Sequence, residues 1–191
     1  EKTRVKATVS ERRLVRWWDR WLDPEEWAHL FSVDVATREV TDLTPGMKRL
    51  GAGGGELEFD VARDGSVVFA ANATEAPYRA LNTDLFLVPP GGGAPRNLTA
   101  DNPAEDVAPV FSPDGRTIAF GRETKADGWP DRTRLALLDV ASGRTRVLTD
   151  EWDRVPFGWI FTRDGKGLVF LAEDRARTNV WALPLSGGTP R

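Results

Sequence analysis

The chain has 191 residues, a formal net charge of −3, and apolar and charged fractions of 40% and 29%, which fits a soluble globular domain. It carries no cysteine and one histidine, His29, so disulfides, cysteine–zinc sites, a cysteine nucleophile and a histidine metal cluster are excluded, and no metal or cofactor is expected. The slight negative charge opposes non-specific nucleic-acid binding. No run of 18 apolar residues is present to form a transmembrane helix, and the compartment stays open between cytoplasm and periplasm.

Residues 1–11 alternate in part (Val5, Ala7, Val9) and read as a strand or a linker leading in; Arg13–Trp18 reads as a second strand. Four of the eight tryptophans fall between positions 17 and 27, and they suit packing between sheets better than a ligand platform. Asp23 before Pro24, Glu25 and Glu26 is a helix-start signature, with room for one or two turns before the strand at His29. His29, at the head of that strand, reads as a structural residue whose polar tip is hydrogen-bonded. Pro45–Gly55 is a connection rich in glycine.

The stretch Val107–Thr149 sets the pattern for the rest. Apolar runs at Val107–Phe111, Thr117–Phe120, Leu135–Val140 and Thr145–Leu148 are each short, rich in β-branched or aromatic side chains and bounded by turn residues. Ser112-Pro113-Asp114-Gly115 joins the first two, since Pro presets φ, Asp bonds its own backbone and Gly takes the positive φ that closes the turn. The result is a four-stranded antiparallel meander. Asp-Gly pairs recur at 64, 114 and 164, and Leu-Thr strand ends at 43, 98 and 148. Penultimate strands recur at His29–Asp34, Asp84–Pro89, Arg134–Asp139 and Asn179–Pro184.

A period near fifty with four strands per unit is the mark of a propeller blade. The predicted fold class is therefore all-β, a β-propeller fragment of four-stranded antiparallel blades, about three full and one partial. Blades are expected near 1–45, 56–100, 105–150 and 153–191. Insertions at Ala73–Asn82 and Glu123–Arg132, between second and third strands, fall on one rim, where variable function is placed. The first unit has no clear inner strand and the last lacks most of its outer one. The chain thus reads as a segment of a longer propeller, expected to self-associate through its end blades.

Several stretches resemble the prolyl oligopeptidase family of serine peptidases, in particular its bacterial dipeptidyl-peptidase and acylaminoacyl-peptidase-like branch. They are Arg16-Trp17-Trp18-Asp19-Arg20-Trp21 ahead of His29-Leu30-Phe31, Asn82–Phe86, Pro95–Thr99, Pro109–Arg116, Asp131-Arg132 and Trp152-Asp153-Arg154. The resemblance implies a propeller that caps an α/β-hydrolase domain and controls which peptides reach its Ser-Asp-His triad. That hydrolase domain of the parent chain and a peptide substrate are the implied partners. The catalytic half is absent from this chain. None of the six serines has glycine two residues before it, as the Gly-x-Ser-x-Gly elbow requires, so no catalytic residue is assigned.

Candidate substrate-binding residues are Arg122, Glu123, Trp129, Asp131 and Arg132 around the second insertion, where mixed charge and one aromatic could face a peptide; a salt-bridged rim is the plainer reading. Glu25 and Glu26 invite comparison with the acidic pair by which some relatives hold an amino terminus, since paired carboxylates suit an ammonium. Their surroundings do not match that motif, and acids in a first helical turn need no ligand. The main rival function is a non-enzymatic, protein-binding propeller of the periplasmic Tol-system type, which shares the Ser-Pro-Asp-Gly hairpin. A sugar-acid or lactone hydrolase propeller, with a metal in its channel, is a third reading against which the missing histidine cluster counts.

Overall fold

The computed structural model describes residues 27–49, 51, 57–74, 82–126 and 131–191, with backbone alone at 16–17 and 20–21. Every regular element among the described residues is a strand. The helix start expected at Asp23 lies outside them. Strands β1 (Arg16–Trp17) and β2 (Arg20–Trp21) form a short hairpin, and β3 (Phe31–Val33) pairs with β4 (Val40–Asp42) as the first sheet of the repeat. Two complete antiparallel meanders follow. The second sheet holds β5 (Glu58–Val61), β6 (Val67–Asn72), β7 (Thr83–Val88) and β8 (Arg96–Asn97). The third holds β9 (Asp106–Phe111), β10 (Thr117–Arg122), β11 (Arg134–Asp139) and β12 (Thr145–Val147). A last sheet holds β13 (Pro156–Phe161), β14 (Gly167–Asp174) and β15 (Arg177–Pro184), and Arg191 exchanges two backbone bonds with Ala182 on the outer side of β15.

The Asp-Gly hairpins form as their chemistry dictates. Gly65, Gly115 and Gly165 sit at φ of 89°, 72° and 67°, and their N–H groups bond back to Ala62, Ser112 and Thr162. The preceding carboxylates accept the N–H groups of Ser66, Arg116 and Lys166. The Leu-Thr landmarks lie just past the outer strands rather than in them. Thr44, Thr99 and Thr149 are buried, and their hydroxyls accept the N–H groups of Leu30, Leu85 and Leu135 at 3.1, 3.0 and 2.9 Å. Threonine recurs there because each sheet needs one acceptor for a buried backbone donor.

The core is a series of seams between sheet faces. Val67, Phe69 and Phe86 face the first sheet; Val68, Ala70 and Leu85 meet Ile118, Phe120 and Leu138 in the next seam. Ala119, Leu135 and Leu137 then meet Trp159, Leu168 and Phe170. Phe69, Phe120 and Phe170 are the largest fully buried side chains and hold corresponding places on successive sheets. Each stabilises the fold by about 1.5–3 kcal/mol. Inner strands are also tied across seams: Ala108 N and Phe111 N donate to the carboxylates of Glu58 and Asp60, each at 2.7 Å. Trp159 Nε1 donates to Ala108 O at 3.0 Å. A bulge in β9 sets Ala108 at φ 49°, and β13 repeats it with Gly158 at φ 59°.

Candidate functional site

The loops that join second to third strands, and one sheet to the next, gather on one rim. There Arg122 ends β10, Glu123 follows it, and Asp131 and Arg132 lead into β11. Trp129, Glu25 and Glu26 lie outside the described residues. The structure brings the other four candidates to the same rim but gives them different work.

Asp131 staples the loop. Its carboxylate accepts Thr124 N at 2.7 Å, Thr124 Oγ1 at 2.9 Å and Arg132 N at 2.8 Å, and pairs with Arg134 at 3.2 Å. Burial alone would raise its pKa, but the bonds from Thr124, Arg134 and Arg132 outweigh burial and hold the carboxyl well below the usual range. Arg132 is spent on the backbone, donating through Nη1 to Thr149 O at 3.2 Å and Trp152 O at 2.7 Å, and through Nη2 to Asp150 O. Arg122 turns inward, its side chain 12% exposed, with Nη2 3.6 Å from Asp101 and Nε 4.0 Å from Asp106.

Glu123 differs from these three. Burial, then repulsion from Glu105 and Asp131, raises its pKa, with Arg134 and Thr133 opposing. Glu105 is likewise raised, by burial and then by Glu58. Glu105, just before β9, and Glu123, just after β10, thus lie close enough to repel one another, and Glu58 on β5 adds to the negative charge at Glu105. Sequence reasoning missed Glu58 and Glu105, because repeat spacing does not say which residues of different units meet. His29 bonds Asp42 through Nδ1 at 2.8 Å and the Met47 carbonyl through Nε2 at 3.1 Å, a structural tie between β4 and the chain that follows. Asn82 and Arg132 reach the carbonyls of Asn102 and Trp152 in the same manner.

The sheet geometry and the repeated seams define a β-propeller. No protein-family model matches the chain. Over 144 residues it is 32% identical to the probable dipeptidyl-peptidase 5 of Arthroderma benhamiae, and over 150 residues 34% identical to that of Aspergillus niger. These matches cover 69% and 71% of this chain but 20% of each relative, so the chain spans about a fifth of their length. Among solved structures, a putative TolB from Agrobacterium tumefaciens superposes with a TM-score of 0.66 at 17% identity, over 85% of this chain and 53% of that one. A puromycin-hydrolyzing peptidase from Mycobacterium tuberculosis superposes with a TM-score of 0.60 at 19% identity, over 94% of this chain and 30% of that one. At such identities these likenesses show the fold, and the fold they share is the propeller.

Proposed function

We propose that the chain is the propeller segment of a serine exopeptidase that hydrolyses short peptides, filtering substrate for an α/β-hydrolase domain and not catalytic by itself. The observation that carries this reading is the identity of 32–34% to proteins named dipeptidyl-peptidase 5. In this reading the rim faces the substrate, with Glu123 backed by Glu105 and Glu58 taking a peptide's ammonium, since carboxylates supply charge-assisted acceptors for it. Trp129 is proposed as a further contact to the peptide, and Glu25 and Glu26 as a separate acceptor pair for its amino terminus. Arg122, Asp131 and Arg132 shape it from behind.

The test is the parent protein assayed on fluorogenic dipeptides with free and with acylated amino termini, alongside labelling by a fluorophosphonate. Expected are serine labelling, dipeptide release, and a Glu123→Gln variant whose KM rises about tenfold for free-amino substrates alone. Absence of both labelling and hydrolysis overturns the peptidase reading. The rival is a binding propeller without an enzyme partner, which the TM-score of 0.66 to a putative TolB favours. The sequence identity to the peptidases is nearly twice as high and outweighs it.

A further inference from the structure

Beneath the rim, in the seam between the second and third sheets, lies a polar cluster that shares only Arg122 with the proposed substrate surface. Asp106 on β9 is fully buried and Asp84 on β7 is 2% exposed. Asn102 Nδ2 donates to Asp106 Oδ1 at 3.0 Å, and Asn97 Nδ2 donates to Asp84 Oδ2 at 2.6 Å. Each carboxylate therefore has one oxygen engaged. Asp84 Oδ1, Asp106 Oδ2, Asn82 Oδ1 and Arg122 Nη1 are buried with no hydrogen-bond partner among the described residues, and all four belong to this cluster.

Asp106 is the sharper case of the two carboxylates: its side chain is fully buried, its Oδ2 has no hydrogen bond, and the guanidinium of Arg122 comes no closer than 4.0 Å at Nε. A proton on Asp106 Oδ2 gives that oxygen a hydrogen to donate and removes a buried charge that is only distantly paired. We propose that Asp106 is a proton-operated latch, closing the seam between the second and third sheets when protonated and letting it loosen and take in water when ionised.

The surroundings agree from every side. From β10 comes Arg122; from the loop before β9 come Asn102 and the well-exposed Asp101. From the second sheet comes Asp84, bonded by Asn97 and subject to the positive charge of Arg49 and then of Arg122; Arg49 lies 4.8 Å over the Phe86 ring and is bonded to the Asn72 carbonyl. Glu105 precedes Asp106 and is repelled by Glu58. Burial raises Asp106 to about 7, Arg122, Asn102 and Thr99 oppose that rise, and Asp84 adds to it; Asp84 is itself raised by burial. With the native value above the unfolded one, the native state binds the extra proton. This stability is fully present below about pH 4 and is lost as pH rises through about 7.

The experiment is thermal unfolding of the full chain from pH 5 to pH 8.5, wild type against Asp106→Asn, with the side-chain carboxyl carbons followed by NMR. The amide supplies the donor that the proton would, at the same size. The wild-type Tm is expected to fall by roughly 5–10 °C between pH 5 and pH 7.5, and the variant to lose most of that slope and exceed wild type at pH 8. One aspartate carbon is expected to titrate near neutrality in the wild type. A variant that keeps the wild-type slope overturns the proposal. So do carboxyl carbons that all titrate below pH 5, a readout that stands even where Asp106→Asn fails to fold.

Discussion

At the rim of the seam between the second and third sheets stand Asn102, Asp106 and Arg122; fifty residues later, at the corresponding places of the next seam, stand Trp152, Pro156 and Ala172. The backbone frame is the same. Asp106 pairs with Arg122 across β9 and β10 as Pro156 pairs with Ala172 across β13 and β14. The later seam fills this space with Trp152, which meets Phe170 edge-on at 5.6 Å and Trp181 at 5.2 Å. One seam depends on matching donors to acceptors, the other on shape. The pairing frame evidently tolerates either, so a blade's rim chemistry can change without changing the blade. A polar seam fails when a single partner is missing, whereas an apolar one fails in proportion to the volume removed.

Truncation should expose that difference most at Trp159. Its ring fills the seam between the third and last sheets against Gly121, where an added Cβ would sit 2.8 Å from the indole and 2.6 Å from Thr133. Trp159→Ala is expected to cost about 3–5 kcal/mol, read as a lower urea midpoint. A mutant within 1 kcal/mol of wild type would show that this seam is not packed on the indole. The polar ties should come next. Asp60→Ala leaves Phe111 N–H without its acceptor and is expected to cost about 1–3 kcal/mol, with faster amide exchange at Phe111. Unchanged protection at that amide would break the inference. The smallest effect is a gain: the β14–β15 turn places Arg175 and Ala176 at φ of 50° and 59°, so Ala176→Gly is expected to raise stability by up to about 1 kcal/mol in the same denaturation assay.

The hairpins were legible in the sequence because their causes are local. An Asp-Gly pair between two apolar runs fixes a turn whatever the rest of the chain does, and 64, 114 and 164 all turn as expected. The Leu-Thr landmarks were legible as positions but not as function. Only the fold reveals that the threonine hydroxyl serves a leucine N–H fourteen residues earlier. The seam chemistry was not legible. Asp106 lies one residue ahead of the apolar run that begins at Val107, where nothing in the pattern marks it, yet it is buried with Arg122 and Asn102 reaching it from elsewhere in the fold. Glu58 was hidden for the same reason, its partner being the backbone of Ala108 in the following unit. The inward turn of Arg122 likewise depends on Asp101 and Asp106, neither adjacent to it in sequence.

The tight joint between β14 and β15 also bears on the order in which the chain acquires structure. These two strands pair continuously from Asp174–Arg177 out to Gly167–Pro184, with two residues between them. Closing so short a loop costs little entropy, and hairpins of this kind form in about 1–10 μs. The seam ties, by contrast, join Glu58 to Ala108 and Ala108 to Trp159, separations of 50 and 51 residues. Contacts that distant form late, because a long stretch of chain must be ordered before they are rewarded. The last sheet is therefore placed to nucleate first, and the earlier sheets to assemble toward it.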